Sequence, residues 1–233
     1  MSNRGVSRVP RETADVLVVL PTLGDRLDTL ERALASAQSP VQGVTTRILV
    51  VVPKAKRKAR ALAKRYGAEI VDDPGRGMSA AINAGLERRA GEPHYIWLGD
   101  DDYYQPGGLS TLHRLLLSHP EAVVAYGACD YVDDSGTVLW TSKASFLARW
   151  LIGFGPNLIP HPAAMIRLDA LEAVGGYDEE LSLVMDLDVF LKLTPAGKFI
   201  HTAEVVSAFG WHSESLTVQD RAKSGREARL VKR

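Results

Sequence analysis

The chain has 233 residues, 45% of them hydrophobic and 24% charged, and its 28 Lys+Arg balance 28 Asp+Glu. That composition suits one large or two small globular domains and excludes a chain-wide field for nucleic acid or an acidic partner. The lone cysteine, Cys129, excludes an internal disulfide and fits a reducing compartment as a small buried hydrophobe.

In chain order, Met1 to Thr13 is polar and Arg-bearing, with no apolar core of a secretory signal. Val16 to Leu20 is a continuous apolar run that predicts a strand, followed by a helix over Arg26 to Ala37 with Asp25 as a candidate N-cap. Arg47 to Val52 repeats the strand signal and Lys54 to Tyr66 predicts a basic helix. Ala68 to Val71 predicts a short strand and Ser79 to Arg89 a helix of small residues. Tyr95 to Leu98 is a fourth strand and Gly108 to Ser118 the helix after it. Strands and helices alternating over short connections imply a parallel, doubly wound sheet.

The second half is less regular. Ala122 to Tyr126 and Cys129 to Val132 read as two strands, and Asp133-Asp134-Ser135-Gly136 as a tight turn into a strand over Thr137 to Thr141. Ala163 to Arg167 is a further strand, Leu168 to Val174 a short helix, and Leu183 to Leu193 another. The apolar stretch Phe146 to Ile159, with Trp150, Leu151, Ile152 and Phe154, is more loop than helix. Three readings of it stand: a core loop, an acceptor-side lip, or a membrane contact aided by Lys54, Lys56, Arg57, Lys58 and the basic tail. That tail, Arg221 to Arg233, is expected to be frayed. No run reaches the roughly 18–20 apolar residues of a membrane span. The expected location is cytoplasmic, with peripheral contact at the inner face of a membrane left open.

The most informative stretch is Tyr95-Ile-Trp-Leu-Gly-Asp100-Asp101-Asp102, followed by Pro106-Gly107. A buried strand ends abruptly in three carboxylates that repel one another. A divalent cation removes that cost, because Mg²⁺ and Mn²⁺ take carboxylate oxygens and share them with substrate phosphates. In open α/β sheets ligands collect at this end of the strands.

Several segments combine with the triplet. They are Pro21-Thr22-Leu23-Gly24-Asp25-Arg26, Gly75-Arg76-Gly77-Met78-Ser79 running on to Asn83, His161-Pro162, Gly175-Gly176-Tyr177-Asp178-Glu179, and Met185-Asp186-Leu187-Asp188. In this order the chain resembles the family 2 glycosyltransferases, from about Val16 to about Ser215. The resemblance implies a GT-A-type fold: Rossmann-like, doubly wound, mostly parallel, with a smaller mixed part on the acceptor side. It implies one domain over residues 14–215, with a nucleotide-sugar half at 14–110, an acceptor half at 111–215, and tails at 1–13 and 216–233.

The resemblance also assigns roles. The donor is a UDP-, GDP- or dTDP-sugar, the acceptor a glycan, lipid-linked or small-molecule hydroxyl, and the cofactor Mn²⁺ or Mg²⁺. Asp102 is implied as metal ligand, with Asp100 or Asp101 on the ribose or a metal-bound water. His212, in the late segment His212-Ser213-Glu214-Ser215, is implied near the diphosphate or metal, and His161 on the acceptor side. Pro21, Thr22, Arg26, Gly77, Ser79 and Asn83 are implied at the nucleotide. Asp186 is implied as general base, with Asp188 as the alternative, since i and i+2 on a helix point apart. Two departures stand out: Ile82 replaces a customary Arg, leaving Arg76 to substitute, and Val52-Pro53-Lys54 replaces an acidic pair, leaving Asp72 or Asp73. A glycoside hydrolase fits less well, because its two acids flank the bond from separate segments without a metal. A sugar-nucleotide pyrophosphorylase lacks its Gly-rich, basic loop here. An inactive sugar-nucleotide binder or scaffold of a glycan-assembly complex remains as the non-enzymatic reading.

Overall fold

The computed structural model describes residues 13–143, 148–154, 157–211 and 221–232. Four parallel strands form its first half: β1 (Val16–Pro21), β2 (Thr46–Val52), β3 (Glu69–Asp72) and β4 (His94–Trp97). Their order is β3-β2-β1-β4. Between them run α1 (Leu27–Ser36), the single turn α2 (Ser39–Gln42), α3 (Arg57–Arg65) and α4 (Met78–Leu86). Both faces of β1 and β2 are buried, which is why they read as unbroken apolar runs. Val16, Val18, Leu20 and Val50 pack with Leu30, Leu34, Leu62 and Leu112 on one face. Leu17, Val19, Leu49 and Val51 pack with Ile82, Leu86, Leu187 and Val189 on the other. This is the doubly wound layering expected from the alternation.

The second half adds β5 (Tyr103–Tyr104), α5 (Gly108–Ser118), β6 (Ala122–Val132), β7 (Val138–Ser142), α6 (Ala148–Leu151) and a 3-10 turn at His161–Ala163. It continues with β8 (Ala164–Arg167), α7 (Leu168–Ala173), α8 (Met185–Leu193), β9 (Lys198–Gly210) and α9 (Arg221–Val231). β8 joins β4 antiparallel, β6 joins β8 antiparallel, and β9 runs parallel to β6. The sheet is therefore mixed from β4 onward.

Four expectations need correction. The two strands expected over residues 122–132 are one, because register shifts against β9 absorb the irregularity near Gly127. β9 itself, 13 residues long, was not anticipated, since its lower half is only partly buried and its apolar pattern is weak. The basic tail is not frayed over 221–231: the buried Glu227 carboxylate accepts hydrogen bonds from Ser182 N, Ser182 Oγ and Leu183 N and docks α9 beside α8. Asp25 caps no helix; Arg26 holds the N-cap position without a side-chain bond, and Asp25 pairs with Lys56. Within the apolar stretch 146–159, Ala148, Ile152 and Ile159 enter the core while Phe154 and Leu158 are exposed.

Candidate active site

The carboxyl ends of β1 and β4 lie side by side, because these strands are parallel neighbours. Thr22, one residue past β1, donates from N to Val51 O and from Oγ1 to Asp100 Oδ2 at 2.5 Å. Arg26 forks across the triplet, with one nitrogen 2.5 Å from Asp100 Oδ1 and another 3.1 Å from Asp101 Oδ2. Burial pushes the Asp100 carboxyl above the usual carboxylate value, and the Thr22 hydroxyl and Arg26 guanidinium only partly oppose it. Pro21 closes β1 and is buried beside this turn.

Asp102 is only 1% exposed. Its Oδ1 accepts from Gly210 N at 3.0 Å, and its Oδ2 lies 3.3 Å from Gly99 N and 3.1 Å from His161 Nε2. Both glycines are required by contact: a Cβ at Gly99 would stand 2.7 Å from Asp102 Oδ2, and one at Gly210 2.8 Å from Asp101 O. The His161 ring lies flat on Trp97, with centroids 3.7 Å apart.

Asp186 occupies the first turn of α8. Asn157 Nδ2 donates to its Oδ2 at 2.9 Å and Leu187 N to its Oδ1 at 2.8 Å. Burial pushes its carboxyl up, and the nearby His161 pulls the other way. His161 thus touches Asp102, and the same imidazole opposes the rise at Asp186. Asp188, two residues on, instead pairs with Lys192 at 2.7 Å.

Other expected residues are used differently. Ser79 Oγ is buried and donates to Leu181 O, while the Asn83 amide bonds both Tyr177 N and Tyr177 O. Together they clasp the loop that leads to α8. Gly77 opens α4 with φ of 100°. Asp73 Oδ1 accepts from Gly75 N, a local turn, while Asp72 pairs with Arg60 and Lys54. Ile82 is fully buried in the core, and Arg76 pairs with Glu179 at 2.6 Å. His212 lies outside the described residues.

The donor set fits a hard divalent ion as a partial ligand set. Asp100, Asp101 and Asp102 offer carboxylate oxygens on one turn, and Asp102 Oδ1 meets a single donor, Gly210 N, among the described residues. No group of three or more His, Cys, Asp or Glu shaped to hold an ion by itself occurs among those residues. Phosphate oxygens of a substrate would have to complete the shell. Asn157, Tyr131, Phe209 and Gly210 were not singled out from the sequence. The only signal for Asn157 is its place four residues before His161, and for Gly210 its place at a strand end.

These features define a doubly wound ligand-binding domain whose acidic site lies outside the strand ends. Residues 17–175 match the family described as Glycosyl transferase family 2, and the chain belongs to that family. Among curated relatives, a chondroitin synthase of Pasteurella multocida (strain Pm70) is 24% identical over 164 residues. A hyaluronan synthase of Pasteurella multocida is 24% identical over 163 residues. The match to each takes in 67% of this chain and 16% of the relative's length. Among solved structures, S. aureus TarS aligns with a TM-score of 0.65 at 14% identity, covering 93% of this chain and 39% of TarS. The mannosyltransferase PcManGT from Pyrobaculum calidifontis, in complex with GDP-Man and Mn²⁺, aligns at 0.65 and 17% identity, covering 94% of this chain and 62% of that one. A TarS 1-349 complex with UDP-GlcNAc aligns at 0.60 and 13% identity, covering 85% of this chain and 59% of that one. The likeness to these structures establishes the GT-A fold. Among the described residues no helix is long and apolar enough to cross a membrane.

Proposed function

We propose that this chain transfers a glycosyl group from a nucleoside diphosphate sugar to an acceptor hydroxyl, with inversion and with Asp186 as general base. The observation that carries the reading is the buried acidic turn after β4, where Asp102 accepts from Gly210 N and lies 3.1 Å from His161 Nε2 while Thr22 and Arg26 hold Asp100. The structural neighbours TarS and PcManGT, whose complexes hold UDP-GlcNAc and GDP-Man, support the donor class.

In this reading the acceptor oxygen attacks the anomeric carbon from the side opposite the diphosphate. Its proton passes to the Asp186 carboxylate, which Asn157 and the Leu187 amide hold in place. The bond from the anomeric carbon to phosphate breaks, and its electron pair leaves on the diphosphate. Asp102, with Asp100 or Asp101, would hold a Mn²⁺ or Mg²⁺, which supplies neutralising charge to that leaving group. Arg26 and Thr22 meanwhile orient the acidic turn.

The test is a thermal-shift series with UDP, GDP and dTDP, each with and without Mn²⁺. A ligand that binds only the folded chain adds about 2.7 kcal/mol at a hundredfold excess over Kd. One diphosphate should raise Tm in a Mn²⁺-dependent way, and Asp102→Asn, whose ligand-free Tm serves as fold control, should lose the Mn²⁺ dependence. If no nucleotide shifts the melt, the transfer reading fails and a scaffold role replaces it.

A further inference from the structure

Above the acidic turn, β6 and β9 carry a set of aromatic rings that no step of the proposed reaction uses. Tyr131 on β6 sits opposite Phe209 on β9 and Trp140 on β7 in the strand register. Tyr131 and Trp140 stack with centroids 4.5 Å apart and planes 15° from parallel. Phe209 lies 5.3 Å from Tyr131, and Trp211 meets Trp140 edge-on at 5.1 Å. The rings continue into the candidate active site. Phe209 stands edge-on to His161 at 5.6 Å, and His161 Nε2 is the atom that bonds Asp102. The Tyr131 phenol, raised chiefly by burial, also feels the charges of Asp102 and Asp186.

Phe209 packs against the core, but core packing does not account for the outer rings. Trp140 is 43% exposed, and its strand neighbours Val138 and Leu139 are 50% and 48% exposed. Among the described residues β7 pairs only with β6, and an outer strand of that kind ordinarily carries charge rather than rings. Isolated exposed apolar side chains need no explanation, but several rings that run into a reaction site form a patch that does. The occupant must present an apolar face to the rings and a hydroxyl to Asp186. A pyranose does both: the C–H face of its ring covers a flat aromatic surface, while its rim of hydroxyls meets Asp186, Asn157 and His161. An acyl chain would have no use for that polar margin.

We infer that the face formed by Tyr131, Trp140, Phe209 and Trp211 is an acceptor subsite that stacks a pyranose ring, so that the acceptor is itself a sugar. The inference rests on the glycosyl-transfer reading for the role of Asp186, and its test is chosen to separate the two.

Saturation-transfer NMR on the full chain would use methyl β-glucopyranoside, methyl β-galactopyranoside, methyl β-N-acetylglucosaminide and cellobiose, with octyl phosphate as comparator. At least one sugar should show saturated ring protons. Trp140→Leu, apolar but not aromatic, should weaken its binding about three- to tenfold, and Trp140→Phe should restore most of the loss. Nucleoside diphosphate thermal shifts should be unchanged in both variants, which also confirms that they fold. Binding of octyl phosphate alone, no sugar contact at all, or a Trp140→Leu variant that binds like the parent overturns the subsite. Sugar binding that behaves as expected while no nucleotide shifts the parent upholds the subsite and removes the transfer reading instead.

Discussion

At the end of β4, Asp100 is buried against a guanidinium and a threonine hydroxyl, whereas Asp186, at the start of α8, is buried against an amide and an imidazole. Burial raises both carboxyls. The donor side opposes that rise with a permanent cation, Arg26, while the acceptor side uses dipoles and the titratable His161. A carboxylate paired with a guanidinium suits binding, because the neighbouring positive charge of Arg26 stays put whatever the pH. One held by an amide, with its affinity for protons enhanced, suits proton transfer. The surroundings follow the same division: charged side chains gather at the triplet, and aromatic rings gather beyond it toward Asp186.

The sharpest way to break this comparison is Asp186→Asn. The change keeps shape and removes the proton acceptor, so turnover should fall by about 10² to 10⁴ while nucleoside diphosphate binding is unaffected. Initial rates and thermal shifts on the same sample check both halves of the statement. The parent enzyme should also lose activity in acid above the ordinary carboxylate range. As the proposed base Asp186 would act only when ionised, and its raised pKa would move the acid limb of the rate profile upward. A limb at the ordinary carboxylate value would assign the base elsewhere.

Next in size is the brace behind that base. Glu227 of α9 satisfies Ser182 N and Leu183 N just before α8 begins. Glu227→Ala leaves those two donors unmatched in a half-buried loop and should cost about 1–3 kcal/mol, read from urea melts. An unchanged midpoint would mean that α9 does not hold this loop.

On the donor side, Arg26→Ala removes the cation that competes for Asp100 and Asp101. With Arg26 partly exposed, the effect is modest, about 1 kcal/mol or roughly fivefold tighter binding of free Mn²⁺. Paramagnetic titration measures it. Equal affinity in parent and variant would show that Arg26 and the ion do not share these oxygens.

How much of this was legible in the chain follows the same division. The donor half was readable because β1, β2 and β4 are buried on both faces and flanked by helices, so runs such as Val16 to Leu20 carry no ambiguity. The triplet was readable because three carboxylates at a strand end have no structural use. The acceptor half was not, because β9 is half exposed and its partners lie far off in sequence. Ser79 and Asn83 show the limit from the other direction. The family resemblance implies them at a nucleotide, yet their side chains bond the backbone of Leu181 and Tyr177, about a hundred residues later. Asn157 and Tyr131 reach Asp186 and its surroundings only through tertiary folding.

The smallest effect tests the far end of β4, where His94 lies buried opposite to the acidic turn. Among the described residues neither ring nitrogen finds a hydrogen-bond partner, and the ring meets His113 edge-on at 4.9 Å. Burial, aided by the charges of His113 and Arg167, lowers its pKa from 6.5 to about 4. The folded chain therefore holds His94 neutral at a pH where the unfolded chain protonates it. Above pH 6.5 both states are neutral and the contribution to stability is complete. As the pH falls from 6.5 toward 4 the unfolded state takes up the proton first, and that stability is lost. His94→Phe removes the titration, so its Tm should fall less steeply over this interval. Glu92, whose depressed pKa owes nothing to His94, titrates alike in both proteins and cancels in the difference. Parallel curves from pH 7 to 4 would mean that water or a shifted His113 already satisfies the ring. The acidic end of β4 would then be the only end of that strand where burial and charge are set against each other.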